Sequence, residues 1–265
     1  MSWVDSRGLG PTLDGIEHRL ERCAKPRSKS EASEAAAWLL ARQQRRGRGA
    51  GMFEPLRSEF GETRLATGER LRTRRAVRNV LSHRAVRVLK RLADGDPRID
   101  HAVEHALDAF RDDCYAKDHC AIGECAHSAI SYMRLSAHLG GAGHREWIER
   151  ELAVLQARRL KPGRWKGFPF YYTLLALLEL PGEIANGELR HAVAACLRVR
   201  SRVDPPESIA TRRGDVVGRV LDRMLDAAAV RQPTGRRPGT IPHLGSRAAA
   251  IHHRSAFGRH SAIGR

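Results

Sequence analysis

Apolar residues recur at three- and four-residue spacing through almost every segment of this chain, and no stretch alternates β-branched and polar residues. That feature argues against a sheet-based fold. A period near 3.6 gathers side chains on one face of a helix, whereas a half-buried strand needs a period of two. "RRAVRNVLSHRAVRVLKRLA" carries Val77, Val80, Leu81, Val88, Leu89 and Leu92 at helical spacing, with Arg on the other faces. "RIDHAVEHALDAF" does the same with Ile99, Val103, Ala106, Leu107 and Phe110. "SEASEAAAWLLARQQ" offers Ser30 and Ser33 as caps and puts Ala36, Leu39, Leu40 and Gln43 on one stripe. Helices are also predicted over "AHSAISYMRLSAHL", "HREWIERELAVLQARRL", "FPFYYTLLALLEL", "GELRHAVAACLRV" and "DVVGRVLDRMLDAAAV". The breaks are "DGDP" (94–97), with Pro97 suited to a first helical turn, "GGAG" (140–143) and "PGRW" (162–165). About nine helices with short breaks predict an all-α bundle or an array of helical hairpins.

Composition agrees. Hydrophobic residues make up 42% of the chain but aromatics only 5%, so the core is built from Ala, Leu and Val, and Ala and Leu favour helices. The net charge of +17 is carried mostly by Arg, which keeps its charge and forks onto carboxylates and phosphates. An acidic partner is one reading: nucleic acid, an anionic surface or a phosphorylated substrate. A solvated Arg-rich surface is the plainer one. "RQQRRGR" and "RLRTRRAVR" are Arg-rich helical segments that suit phosphate, although no DNA-binding motif accompanies them.

From Ala227 onward there is no acidic residue, while seven Arg fall there among Pro and Gly. Three regions are expected: a partly helical segment 1–30, a helical-repeat domain 31–229 and a disordered basic tail 230–265. The longest apolar run is too short to span a membrane, and five irregularly spaced Cys without a secretory signal fit a reducing cytoplasm.

"DDCYAKDHCAIGECAH" (112–127) concentrates three of the five Cys with two His. Zinc takes Cys and His tetrahedrally. The spacing Cys114-x5-Cys120-x4-Cys125-x-His127 is irregular for a structural site, although a loop can fold such ligands together. Asp112, Cys114, Cys120, Cys125, His119 and His127 are the candidate ligands. Two other readings stay open: small buried cysteines, and a reactive thiol. His101 and His105 share a helix face opposite the apolar one and read as solvated.

One internal match stands out. "LLARQQRRGRGAGMF" (39–53) aligns without a gap to "LQARRLKPGRWKGFP" (155–169), pairing Leu39 with Leu155, Ala41 with Ala157, Arg42 with Arg158, Gly47 with Gly163, Arg48 with Arg164 and Gly51 with Gly167. Each copy reads as a helix end followed by a glycine turn. "VLQARRLKPGRWKGFPFYYTLLALLEL" (154–180) then places an aromatic-led helix after that turn.

This layout resembles the repeat of the prenyltransferase and squalene-cyclase (terpenoid cyclase) family. The resemblance covers roughly residues 32–199 and implies an α/α toroid, partial or complete, around a central cavity. In that family Asp and Cys of D-x-C-Y hold zinc with a distant His. Asp112 and Cys114 match the first two, while Tyr172 stands where the His would be, so the resemblance points to His119 or His127 as the replacement. It also implies an apolar, isoprenoid-type ligand. Tyr132, Trp165, Phe168, Phe170, Tyr171 and Tyr172 would then line the cavity, and Arg158 and Arg164 would meet a diphosphate. The alternative function is a non-catalytic helical scaffold that binds nucleic acid or an acidic protein partner through its Arg-rich face and tail.

Overall fold

The computed structural model describes residues 3–22, 29–92, 95–200 and 208–229 and is all-α. Its helices are α1 (Leu9–Arg22), α2 (Lys29–Leu40), α3 (Arg74–Leu92), α4 (Pro97–Arg111), the single turn α5 (Cys114–Lys117), α6 (Cys125–Leu139), α7 (Ala142–Ala157), α8 (Phe170–Leu178), α9 (Gly182–Arg200) and α10 (Ser208–Ala229). Sheet structure among the described residues amounts to two short strands, β1 (Arg159–Leu160) and β2 (Arg164–Trp165), paired antiparallel across the "PGRW" turn, with two isolated bridges elsewhere. The expected basic tail, 230–265, lies outside the described residues, as does Asp94 of the "DGDP" break.

The helices pack in a connected series of neighbours. α1 packs on α3, α3 on α6, α6 on α8 and α8 on α10. In addition α2 packs on α3 and α4, and α9 packs on α7, α8 and α10. Consecutive helices pack on one another at α2–α3, α3–α4, α6–α7, α8–α9 and α9–α10. One core runs through all of it, from Leu9, Leu13, Ile16 and Leu20 of α1 to Val216, Val217, Val220 and Leu221 of α10. Residues 9–22, within the segment 1–30 expected to be partly helical, form a helix whose Leu9, Leu13, Ile16 and Leu20 join that core.

Local chemistry sets several ends. Asp96 caps α4 by accepting the Arg98 N–H at 2.9 Å, with Pro97 at the first helical position. Thr73 Oγ1 accepts the Ala76 N–H at the start of α3. Gly140, at φ 68°, ends α6 in a conformation that disfavours residues with a Cβ.

Three expectations need correction. Ser30 and Ser33 lie inside α2 and do not cap it, and Gln43 lies beyond its end. There its amide donates to the Ala102 carbonyl at 2.7 Å, tying the turn to α4. Arg42–Arg48 form that turn, not a helix. α3 has no Arg-covered outer face along its middle: residues 79–86 are all buried, Arg84 among them, because α1, α2, α4 and α6 surround it.

The internal repeat has a structural counterpart. Gly47 and Gly163 sit at φ 83° and 90°, and Gly51 and Gly167 at 86° and 84°, so both aligned pairs share the left-handed conformation. The hairpins differ in length. The Arg42 carbonyl accepts from the Glu54 N–H, whereas its counterpart Arg158 accepts from Lys166.

Candidate metal centre

Three thiols meet where α4 gives way to α6. Asp112 is the C-cap of α4, Cys114 opens α5, and Cys125 opens α6. Between them the chain doubles back: the Cys120 N–H donates to the Cys114 carbonyl at 3.2 Å, and His119 and Gly123 take positive φ values of 50° and 54°. The tight reversal brings Cys114, Cys120 and Cys125 Sγ all within 4.8 Å of one another, with Cys114 and Cys125 3.6 Å apart. Zinc–sulfur bonds of about 2.3 Å at tetrahedral angles separate sulfurs by roughly 3.8 Å. The three thiols fit such an ion with little movement, and all three are only half-buried.

The surroundings are cationic on one side. Arg75, at the start of α3, pairs with Asp113 and lies close enough to Cys114 and Cys125 for their charge to raise its pKa, after the larger effect of Asp113. Glu124 binds α6 to α3: its carboxylate accepts the backbone N–H groups of Arg72 and Thr73, each at 2.6 Å. Burial, with added repulsion from Cys114 and Cys120, pushes the Cys125 thiol up to about 12. Without a cation Cys125 stays protonated at neutral pH. That disfavours a free nucleophilic thiolate there.

The other three candidate ligands lie outside the thiol group. Asp112 is exposed. His119 is turned onto α7, where Nδ1 is 2.9 Å from Glu151 Oε2 and the ring stacks on Trp147 at 5.1 Å. Glu151 is fully buried, and burial raises its carboxyl to about 8; burial also lowers His119. His127 is half-buried two residues into α6, its pKa lowered by burial.

Of the six aromatic cavity candidates, Tyr171 is half-buried and the other five are buried. Tyr132 joins His83, Phe110, Tyr115 and Trp147 in one aromatic cluster. Trp165, Phe168, Phe170 and Tyr172 are buried in the core, and Trp165 Nε1 donates to Glu188 at 2.8 Å. Tyr171 is half-buried beneath the Arg213 guanidinium. Arg164 lies over the Phe170 ring at 4.6 Å, and Arg158 is the C-cap of α7. His101 and His105 stack 6.5 Å apart near the surface, with His101 exposed, as their helix face implied.

A second cluster went unread in the sequence. Arg84 of α3, 1% exposed, donates to Glu17 and Asp14 of α1 at 2.6 Å each. Arg134 of α6, 4% exposed, forks onto Glu179 just past α8, and Arg87 reaches the same carboxylate at 3.3 Å. Burial raises the Glu17 pKa, but Arg84, Arg87 and Arg134 outweigh it and hold the carboxyl at about 2. The available signal was a charge on an apolar stripe: Arg84 stands four residues from both Val80 and Val88, and Glu17 four from Leu13.

No helix among the described residues is long and apolar enough to cross a membrane. The fold and the thiol group define an all-α protein with a three-cysteine site able to hold a metal ion. Comparison with known proteins finds no matching family model, no matching curated protein and no matching solved structure.

Proposed function

We propose that this chain is a zinc-binding, prenyltransferase-like helical-hairpin protein, with Cys114, Cys120 and Cys125 as the protein ligands. The mutual approach of the three sulfurs carries the reading. Cys114, Cys120 and Cys125 would hold the zinc ion, which would supply Lewis-acid chemistry when bound. The chain's own residues do the rest. Arg75, at the start of α3 and held by Asp113, lies beside the thiol group. The His119–Glu151 pair and the Trp147 Nε1 bond to the Ala116 carbonyl fasten the ligand loop to α7.

The run of contacts from α1 through α3, α6 and α8 to α10 supports the toroid-like reading, and an apolar cavity supports an apolar ligand. That cavity, about 390 Å³, is lined by Ile148, Leu180, Pro181 and Ile184. It lies at the C-terminal end of α6, on the order of 20 Å from the thiols by helical rise. The cytoplasmic assignment belongs to the same proposal, since zinc thiolates need reduced cysteines.

The test is the zinc content of purified protein, measured by elemental analysis beside Cys114→Ser. Near-stoichiometric zinc that falls in the variant supports the reading. Zinc absent from both proteins removes it and leaves the scaffold alternative. Steep salt dependence of nucleic-acid binding would then identify phosphate contacts by the Arg-rich surface.

A further inference from the structure

We infer that the groove between the end of α2 and the 54–60 segment binds single-stranded nucleic acid, with base faces on its rings and phosphates on its arginines. The inference is independent of the metal centre.

The groove, about 710 Å³, is lined by Trp38, Arg42, Glu54, Arg57 and Phe60 among others. Trp38 belongs to the last turn of α2, and Phe60 follows the segment that leads back towards α3. Each ring is half-buried, packed on the core from one side and lining the groove from the other. Each also carries a guanidinium: Arg42 lies over Trp38 at 4.3 Å, and Arg74 over Phe60 at 5.4 Å. Aromatic rings and guanidinium planes are the surfaces on which an unpaired base stacks.

The charge is one-sided. Glu54 is the one carboxylate in the lining, and Arg78 lies 3.3 Å from it. Arg42, Arg57 and Arg74 make no ion pair among the described residues. Arg45, Arg46 and Arg48, exposed on the turn that continues from Gln44, make none there either. Other surface arginines meet carboxylates: Arg70 meets Glu62, Arg98 meets Asp96, Arg145 meets Glu149 and Arg159 meets Glu188. Glu34, one turn before Trp38 on α2, is exposed but does not line the groove. The groove and its flanking turn therefore keep a cationic surplus that attracts a polyanion.

The rings decide which polyanion. A duplex keeps its base faces stacked inside and offers such a groove its phosphates alone. An acidic peptide pairs with the arginines and leaves Trp38 and Phe60 uncovered. A single strand uses both, because its bases turn outward.

Fluorescence anisotropy of the whole protein with a labelled single-stranded DNA of about 12 nucleotides tests this, beside the matching duplex and with polyglutamate as competitor. At about 150 mM salt the strand is expected to bind about tenfold tighter than the duplex, and polyglutamate to displace it poorly. The arginines of 227–265 attract both nucleic acids alike, so the ratio is the readout. Trp38→Leu stays apolar and is expected to weaken strand binding about tenfold while duplex binding holds. Arg57→Gln, at an exposed position, lowers the salt slope for the strand by about 0.7 and covers the case in which Trp38→Leu fails to fold. Equal affinity for strand and duplex, or no binding of either, overturns the proposal. Displacement by polyglutamate as effective as by unlabelled strand assigns the groove to acidic peptides and overturns it too. Strand selectivity untouched by both variants places the contact elsewhere and overturns the site.

Discussion

The Glu124 carboxylate, at the foot of α6, accepts the N–H groups of Arg72 and Thr73 at 2.6 Å each, so one side chain joins the starts of two neighbouring helices. The next residue is the metal-site candidate Cys125, which ties the thiol group to the α3–α6 contact at the middle of the fold.

Glu124→Ala removes both bonds. A loss of about 1–2 kcal/mol is expected in urea unfolding, the range for a lost cap with a charged acceptor. Burial raises this carboxyl, but the bonds from Thr73 and Arg72 prevail and lower it below the ordinary 4.5. The stabilisation is therefore present above pH 4.5 and fades as pH falls through the lowered value. The variant should show a shallower loss of stability in that window than the parent.

Arg84 and Glu17 form a buried pair, and removing Glu17 leaves Arg84 with only the more exposed Asp14 as its partner. Glu17→Ala is expected to cost roughly 3 kcal/mol, whereas joint replacement of Arg84 and Glu17 by Met and Leu costs less than the sum of the single changes. Because Glu17 is held at about 2, its contribution is complete above pH 4.5 and drains away between there and pH 2. A double-mutant cycle followed at pH 7 and pH 3 measures both effects. Strict additivity would mean the pair is not coupled.

Glu151 runs the other way. Its carboxyl is raised to about 8, so stability falls as pH climbs from 4.5 towards 8, where the unfolded chain ionises and the folded one does not. Glu151→Gln keeps an amide oxygen and NH2 for His119 and cannot ionise. It should flatten that slope and raise stability at pH 7 by roughly 1–3 kcal/mol. Denaturation midpoints across pH 5–8 for both proteins check this.

The turn glycines offer a matched pair of tests. A Cβ on Gly51 would lie 2.4 Å from the His105 carbonyl oxygen of α4, and one on Gly163 2.7 Å from that of His191 in α9. Both residues also need positive φ. Gly51→Ala and Gly163→Ala should each destabilise by about 2 kcal/mol or more in thermal unfolding. Gly47→Ala, with the same φ but open space around it, should cost about 1 kcal/mol.

Sequence alone determined the helical character, because it rests on local spacing: Val77 to Leu92 and Ile99 to Phe110 declare their faces within a few turns. It determined the "DGDP" break, the glycine turns and the concentration of Cys114, Cys120 and Cys125 in one short stretch, while the chain reversal at His119 and Gly123 brought the thiols together. Tertiary structure decided which neighbours share a site. Whether His119 faces the thiols or Glu151 depends on where α7 lies, and no spacing rule reports that. Arg84 reads as a surface charge until α1 arrives with Glu17 and Asp14. Arg134 likewise depends on the end of α8. A buried charge is tolerated only when distant segments supply its partners, so its role is written in the packing and not in its own stretch of chain.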